Sequence, residues 1–246
     1  MGTQPRTMLV ARHSESAAVV FIPGCVVPNE ATVSFRHVSH AAFATLQSRV
    51  HEVWARFFGS SLKDDLRYTP STCFESFPFS ANWHCDEVLE EAGKAYESFR
   101  SALMLRNREG TTAIYNHFHD QEEDNPEIWT LRRMHGAMDR AVLDAYGWTD
   151  IRPTCQFILD YEDDDDDTPG KASKKKKPWR YRWPDDVRDE VLARLLALNA
   201  ERAKQEALAA KVGSSSAVVA PSRKRRAKPA VETPLLTAET ESGEQG

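Results

Sequence analysis

Glycine is scattered through this chain, 11 residues in all, and no G-x-G-x-x-G run joins a strand to a helix. A dinucleotide- or S-adenosylmethionine-binding turn of the doubly wound kind is therefore not expected here. Cysteine is also sparse: Cys25, Cys73, Cys85 and Cys155 lie far apart with no C-x-x-C pair. That spacing argues against both a zinc ribbon and a disulfide framework, and it suits a reducing, cytoplasmic compartment. No apolar run approaches the ~20 residues a membrane-spanning helix needs, and Met1–Ala11 lacks the apolar stretch of a secretory signal. Nor do spaced acidic residues with a strand-borne lysine mark a metal-dependent nuclease core.

What is present supports a folded module with extensions. Among 246 residues, 41% are hydrophobic, enough to bury one core of ordinary size. Charge is uneven along the chain. Residues 1–80 carry seven Lys or Arg against six Asp or Glu, residues 81–159 carry eight against fourteen, and residues 160–246 carry seventeen of each. A polyanion is repelled by the middle block, so phosphate contact is expected chiefly from the first 80 residues.

The pattern predicts an α+β architecture: a small mixed β unit, a helical bundle, a long C-terminal helix and a disordered tail. Residues 6–38 read as short valine-rich strands in a meander, broken by Pro23-Gly24 and Pro28-Asn29. Residues 40–58 read as one helix with Phe43, Leu46, Val50, Val53 and Phe57 on its apolar face, and with Arg49 and Arg56 on a solvated one. Two further helices are expected. Cys85–Arg108 aligns Val88, Ala92, Tyr96, Phe99 and Leu103, Pro126–Tyr146 aligns Ile128, Leu131, His135, Met138 and Val142, and the two should pair antiparallel. A short helix over 111–118 bridges them. The expected organisation is a recognition part at 1–80, helical support at 81–159, a charged flexible linker at 160–183, a helix at 184–212 and a disordered tail at 213–246.

The segment from Ser60 to Phe79, SSLKDDLRYTPSTCFESFPF, combines cations, hydroxyls and aromatics as a nucleic-acid-gripping loop does. Lys63 and Arg67 are candidates for phosphates, while Tyr68, Thr69 and Ser71 offer hydroxyls around the stiffening Pro70. Phe74, Phe77 and Phe79 would anchor the far end in a core. Arg12 and Arg36, near strand ends, are second candidates.

Downstream lie EGTTAIYNHFHD (109–120) and LRRMHGAMDRAVLDAYGWTDI (131–151). Together with the arginine-tyrosine-hydroxyl stretch and the Phe77-Pro78-Phe79 run, these blocks resemble, over residues 5–205, the C-terminal part of the fused type IIG and type IIL restriction-modification methyltransferases that modify adenine. The resemblance implies a target-recognition region that binds duplex DNA and works with a methyltransferase catalytic domain or subunit. It also implies S-adenosylmethionine in that catalytic part, with no cofactor in these residues. The Asn-Pro-Pro-Tyr motif of such catalysts is absent: Asn125-Pro126 continues as Glu127-Ile128 and reads as a helix start.

Two rival readings stand beside it. One is a free-standing interaction or regulatory subunit of such a system. The other is a metal-dependent hydrolase at His117, His119 and Asp120, disfavoured because H-x-H spacing suits a strand better than a helix end. In the linker, Lys174–Lys177, Arg180 and Arg182, interleaved with Trp179, Tyr181 and Trp183, could hold a DNA backbone, with nearby aspartates competing for these cations.

Overall fold

The computed structural model describes residues 5–36, 39–62, 65–159 and 179–216. The chain divides into two compact units, Met1–Lys204 and Gln205–Gly246; in the second, the described residues, 205–216, are helical. The expected α+β class holds. The predicted tail beyond Ser216, and the acidic and lysine runs within 160–178, lie outside the described residues.

Strand β1 (Arg6–Ala11) is the centre of the first sheet, flanked by β3 (Val19–Pro23) and β4 (Thr32–Phe35), both antiparallel to it. A meander would have put β3 in the middle; instead the first strand takes that place, and the pairing is not mixed but antiparallel throughout. Burial gives the reason. Met8 and Val10 are nearly inaccessible, and their partners Val33 and Phe35 share the buried face, so β1 gains most from having neighbours on both sides. After Ala11 the chain turns out of this sheet. Its next strand, β2 (His13–Ser14), pairs with β6 (Asp65–Arg67), which also pairs with β5 (Ser60–Leu62).

The helix expected over 40–58 is two helices, α1 (His40–Gln47) and α2 (Arg49–Phe58), broken at Ser48, whose backbone is extended. Ser48 donates its hydroxyl to the Thr45 carbonyl at 2.7 Å and accepts from the His51 amide, which caps α2. The break frees the Arg49 amide, and Asp139 accepts it at 2.9 Å. Rotation at Ser48 also changes the faces: Trp54 is fully buried, whereas Phe57 is exposed.

Helices α3 (Glu87–Asn107) and α5 (Pro126–Ala145) run antiparallel as expected, since Arg106 near the end of α3 meets Glu127 at the start of α5, and Tyr96 meets His135 midway. The stripe on α3 differs from the expected one. Leu89, Gly93, Tyr96, Arg100 and Leu103 face inward, while Val88 is exposed. Gly93 accounts for the offset: a Cβ there would sit 2.1 Å from the His40 carbonyl oxygen, so the glycine lets α1 lie backbone-close on α3. Helix α4 (Thr111–His119) bridges the pair. Gly147, at φ +76°, stops α5, and the Trp148 amide returns to the Leu143 carbonyl at 3.0 Å. Trp148 is only half-buried and stacks on Tyr146.

Residues 179–183 are not linker. Trp179–Arg182 forms β8, antiparallel to β7 (Gln156–Leu159), and Trp183 is core. The last helix, α6, spans Asp185–Ser216 and anchors Val191 and Leu195 in the same core.

Candidate nucleic-acid interface

Arg12 is the corner residue between the first two sheets. Its amide donates to the Ala31 carbonyl at 2.8 Å, beside β4, and its carbonyl accepts from the Tyr68 amide at 2.8 Å, just past β6. Beside it, His13 pairs with Arg67 across the β2–β6 ladder. The side chains of Arg12, His13 and Arg67 are all exposed. The side chains of Arg12 and Arg67 make no hydrogen bond or ion pair to another described residue, so among the described residues two exposed cations stand at a sheet corner.

The β6 strand explains which members of the expected set stand outward. Leu66 and Tyr68 are buried and Arg67 between them is exposed, the period-two alternation of a half-buried strand. Tyr68 is therefore not a DNA contact but a core residue, 3% exposed, with its hydroxyl 2.9 Å from His51 Nε2. Burial pushes the Tyr68 phenol up and the His51 imidazole down to about 3, so both are neutral partners in an apolar setting.

Beyond it, Thr69 is half-buried, and its carbonyl accepts from the amides of Thr72 and Cys73 in a single π-helical turn, Pro70–Phe74. Ser71 is exposed on that turn. Phe77 is buried and packs edge-on against His51, Phe74 contacts Phe35 and Phe79 stacks on Trp83, so the three aromatics do anchor this segment. Lys63 lies outside the described residues. Arg36 is exposed but follows the far end of β4; with Ala11 opposite Thr32 and Met8 opposite Phe35, it lies roughly 15 Å along the strand from Arg12. The backbone thus sets Arg12 against Tyr68 and His13 against Arg67, so that Arg12 and Arg67 occupy neighbouring positions of the β2–β6 pairing, and it leaves Arg36 apart.

Other cations are consumed by the fold, which bulk charge does not reveal. Arg49, expected on a solvated face, is 5% exposed. Its guanidinium meets Asp139 and His135 Nδ1 at 2.7 Å each and donates to the Tyr181 carbonyl at 3.2 Å, joining α2, α5 and β8. Burial opposes the charge on Arg49, but Asp139, Cys155 and Glu52 together outweigh it and hold the pKa above its ordinary value. Burial likewise opposes ionisation of Asp139, and His135 with Arg49 holds that carboxyl below the usual range. Arg100 is buried between Gln47, Tyr115 and the Val19 carbonyl. Arg132 donates to the carbonyls of His117, Phe118 and Asp120, filling the acceptors at the C-terminal end of α4. The one signal for this seam in the sequence is His135 and Asp139, four residues apart on the buried stripe of α5.

The histidines of the rival metal reading diverge. On a helix, residues two apart point about 200° away from each other. His117 lies between Glu123 at 2.5 Å and Glu109 at 3.4 Å; burial works against its charge, but these carboxylates raise its pKa. His119 accepts from the Tyr181 amide at 3.2 Å, with its pKa pushed to about 3 by burial and by Arg180. Among the described residues no group of three or more His, Cys, Asp or Glu is arranged to hold a metal ion. No described helix is long and apolar enough to cross a membrane.

Comparison with known proteins then fixes what the first part of the chain resembles. Residues 5–81 match the family model of the MmeI target recognition domain. The resemblance read from the sequence is borne out for that segment, which contains Arg12, Arg36, Lys63 and Arg67 together with the Pro70–Phe74 turn. Among solved structures, the Type IIL restriction-modification enzyme MmeI in complex with DNA is similar at 24% identity and a TM-score of 0.43. The match covers 59% of this chain and 19% of the MmeI chain, so the chain spans only a small part of that enzyme's length. No curated protein matches the chain.

Proposed function

We propose that this chain is the DNA-recognition part of a restriction-modification system of the MmeI kind. It binds duplex DNA and positions it for an S-adenosylmethionine-dependent adenine methyltransferase domain or subunit, in a system directed against invading phage DNA. The observation that carries this reading is the match of residues 5–81 to a target recognition domain. The exposed pair Arg12 and Arg67 at the sheet corner supports it. These two guanidiniums fix the register of the duplex on its phosphates, with His13 beside them. The hydroxyls of Thr69, just before the Pro70–Phe74 turn, and of Ser71, on it, are the polar groups offered to a base edge.

The chemistry of a flipped adenine has no support at Asn125. Asn125, the only asparagine followed by proline in a position resembling the catalytic motif, spends its side chain as the α5 cap, accepting from the Glu127 amide at 2.8 Å. Methyl transfer is accordingly assigned to other polypeptide.

Titration with a duplex at two salt concentrations tests the reading. Each phosphate neutralised contributes a slope of roughly −0.9 in log K against log salt. A chain that reads DNA through Arg12 and Arg67 shows a slope near −2 or steeper by the same arithmetic. Absence of binding at low salt, or binding indifferent to salt, removes the proposal.

A further inference from the structure

A cleft of about 240 Å³ opens beside the Arg12–Arg67 corner, and its second wall comes from outside residues 5–81. One wall is β2 and the residues after it, with His13, Ser14 and Ser16. The other is the first two turns of α4, where Thr111, Thr112 and Asn116 face the opening, closed by Arg180 of β8. Since His13 both lines this cleft and pairs with Arg67, the cleft continues the surface that carries the two solvent-facing arginines.

The lining has the chemistry of a phosphate site. One guanidinium, several hydroxyls and a carboxamide converge, and the side chains of Thr111, Thr112 and Asn116 make no hydrogen bond to another described residue. Among the described lining residues one group opposes an anion. Glu15 also lines the cleft, and its carboxylate lies 3.4 Å from Arg180 while remaining 60% exposed. A carboxylate so exposed gains little from that ion pair and can yield its place to a phosphate oxygen.

We propose that this cleft binds a phosphate group, with Arg180 as its cation, Asn116 and the α4 threonines as neutral donors, and Glu15 as the stand-in that the phosphate displaces. Resting on the DNA-recognition reading, the phosphate belongs to the backbone of the bound duplex, and α4 and β8 extend the interface beyond the segment matched to the target recognition domain.

Two arms of one experiment decide it on the full chain. In the first, inorganic phosphate is titrated while the Arg180 Nε–H and Asn116 side-chain amide resonances are followed. Saturable shifts that Arg180→Gln abolishes are expected, and flat or non-saturating shifts overturn the site. In the second, duplex binding is measured against salt. Arg180→Gln should reduce the slope by about one, and Glu15→Gln, at an exposed position that does not endanger folding, should tighten binding roughly two- to fivefold. Saturable phosphate shifts with a duplex slope and affinity indifferent to both variants would keep the anion site and overturn its assignment to DNA. A wild-type chain that binds no duplex removes the DNA-recognition reading and that assignment together, while the phosphate arm still decides whether the cleft is a site.

Discussion

Arg49 and Arg67 lie eighteen residues apart in sequence and have opposite fates. Arg49 starts α2, is sealed among Asp139, His135 and Tyr181, and contributes no charge to the surface. Arg67 alternates with two buried neighbours, Leu66 and Tyr68, and is exposed, with no carboxylate partner among the described residues. The same residue type joins the helices in one region and remains available to a polyanion in the other. Cations can be counted toward DNA binding only after those neutralised within the fold are subtracted. By that measure residues 1–80 offer fewer free charges than their composition implies, since Arg49 is paired to Asp139 and Arg56 to Glu52.

That contrast breaks most readily at its buried end. Asp139→Ala leaves the Arg49 guanidinium uncompensated and its amide without an acceptor, so a loss of about 3–5 kcal/mol in urea unfolding is expected; a loss below 1 kcal/mol would mean the seam is not what joins α2 to α5. Acid should act on the same interior. The folded His51 imidazole sits near 3, below the ~6.5 of an unfolded histidine. The unfolded chain therefore binds more protons between those values, and the His51 contribution is complete above pH 6.5 and declines as pH falls toward 3. The slope from this residue is about 1.4 kcal/mol per pH unit at most. A His51→Gln variant whose stability falls as steeply over that window as wild type would assign the loss to other groups.

Tyr68→Phe distinguishes core from interface. It removes the hydroxyl bonded to His51 and should cost ~1–3 kcal/mol in stability while leaving the salt dependence of duplex binding unchanged. A lowered slope with stability intact would return Tyr68 to the interface. The smallest change in stability, within about 0.5 kcal/mol, is expected for Arg12→Ala and Arg67→Ala. Each should flatten the salt slope by roughly 0.9, and unaltered slopes in both would place the duplex elsewhere on the molecule.

Much of the architecture was legible because it depends on short-range pattern. The α5 stripe from Ile128 to Val142, the Asn125-Pro126 start, the Gly147 stop and the anchoring of Phe77 all follow from residues within a few positions of one another. The candidate interface was legible in part. Arg67 could be recognised as a cation beside hydroxyls, but the Leu66-Arg67-Tyr68 alternation that sends Tyr68 inward was legible only if the segment was taken as a strand rather than a loop. The break at Ser48 was harder still. A serine inside a strong apolar period is compatible with a continuous helix, and only an acceptor on α5, ninety residues away, makes the interruption favourable.

The sequence by itself determined the α+β class, most of the helices and their ends, and the resemblance of residues 5–81 to a target recognition domain, because propensity, capping and motif chemistry act over a few positions. Only the tertiary structure decided which arginines are neutralised and which face solvent, and that β2, α4 and β8 share one polar cleft. The sealing of Arg49 and the cleft depend on partners far apart in the chain, such as Arg49 with Asp139, His119 with Tyr181 or Glu15 with Arg180, whereas Arg56 with Glu52 is a local pair. Whether a guanidinium such as that of Arg49 is sealed or exposed is set by the group that packing places against it, and local sequence does not encode a group ninety residues away.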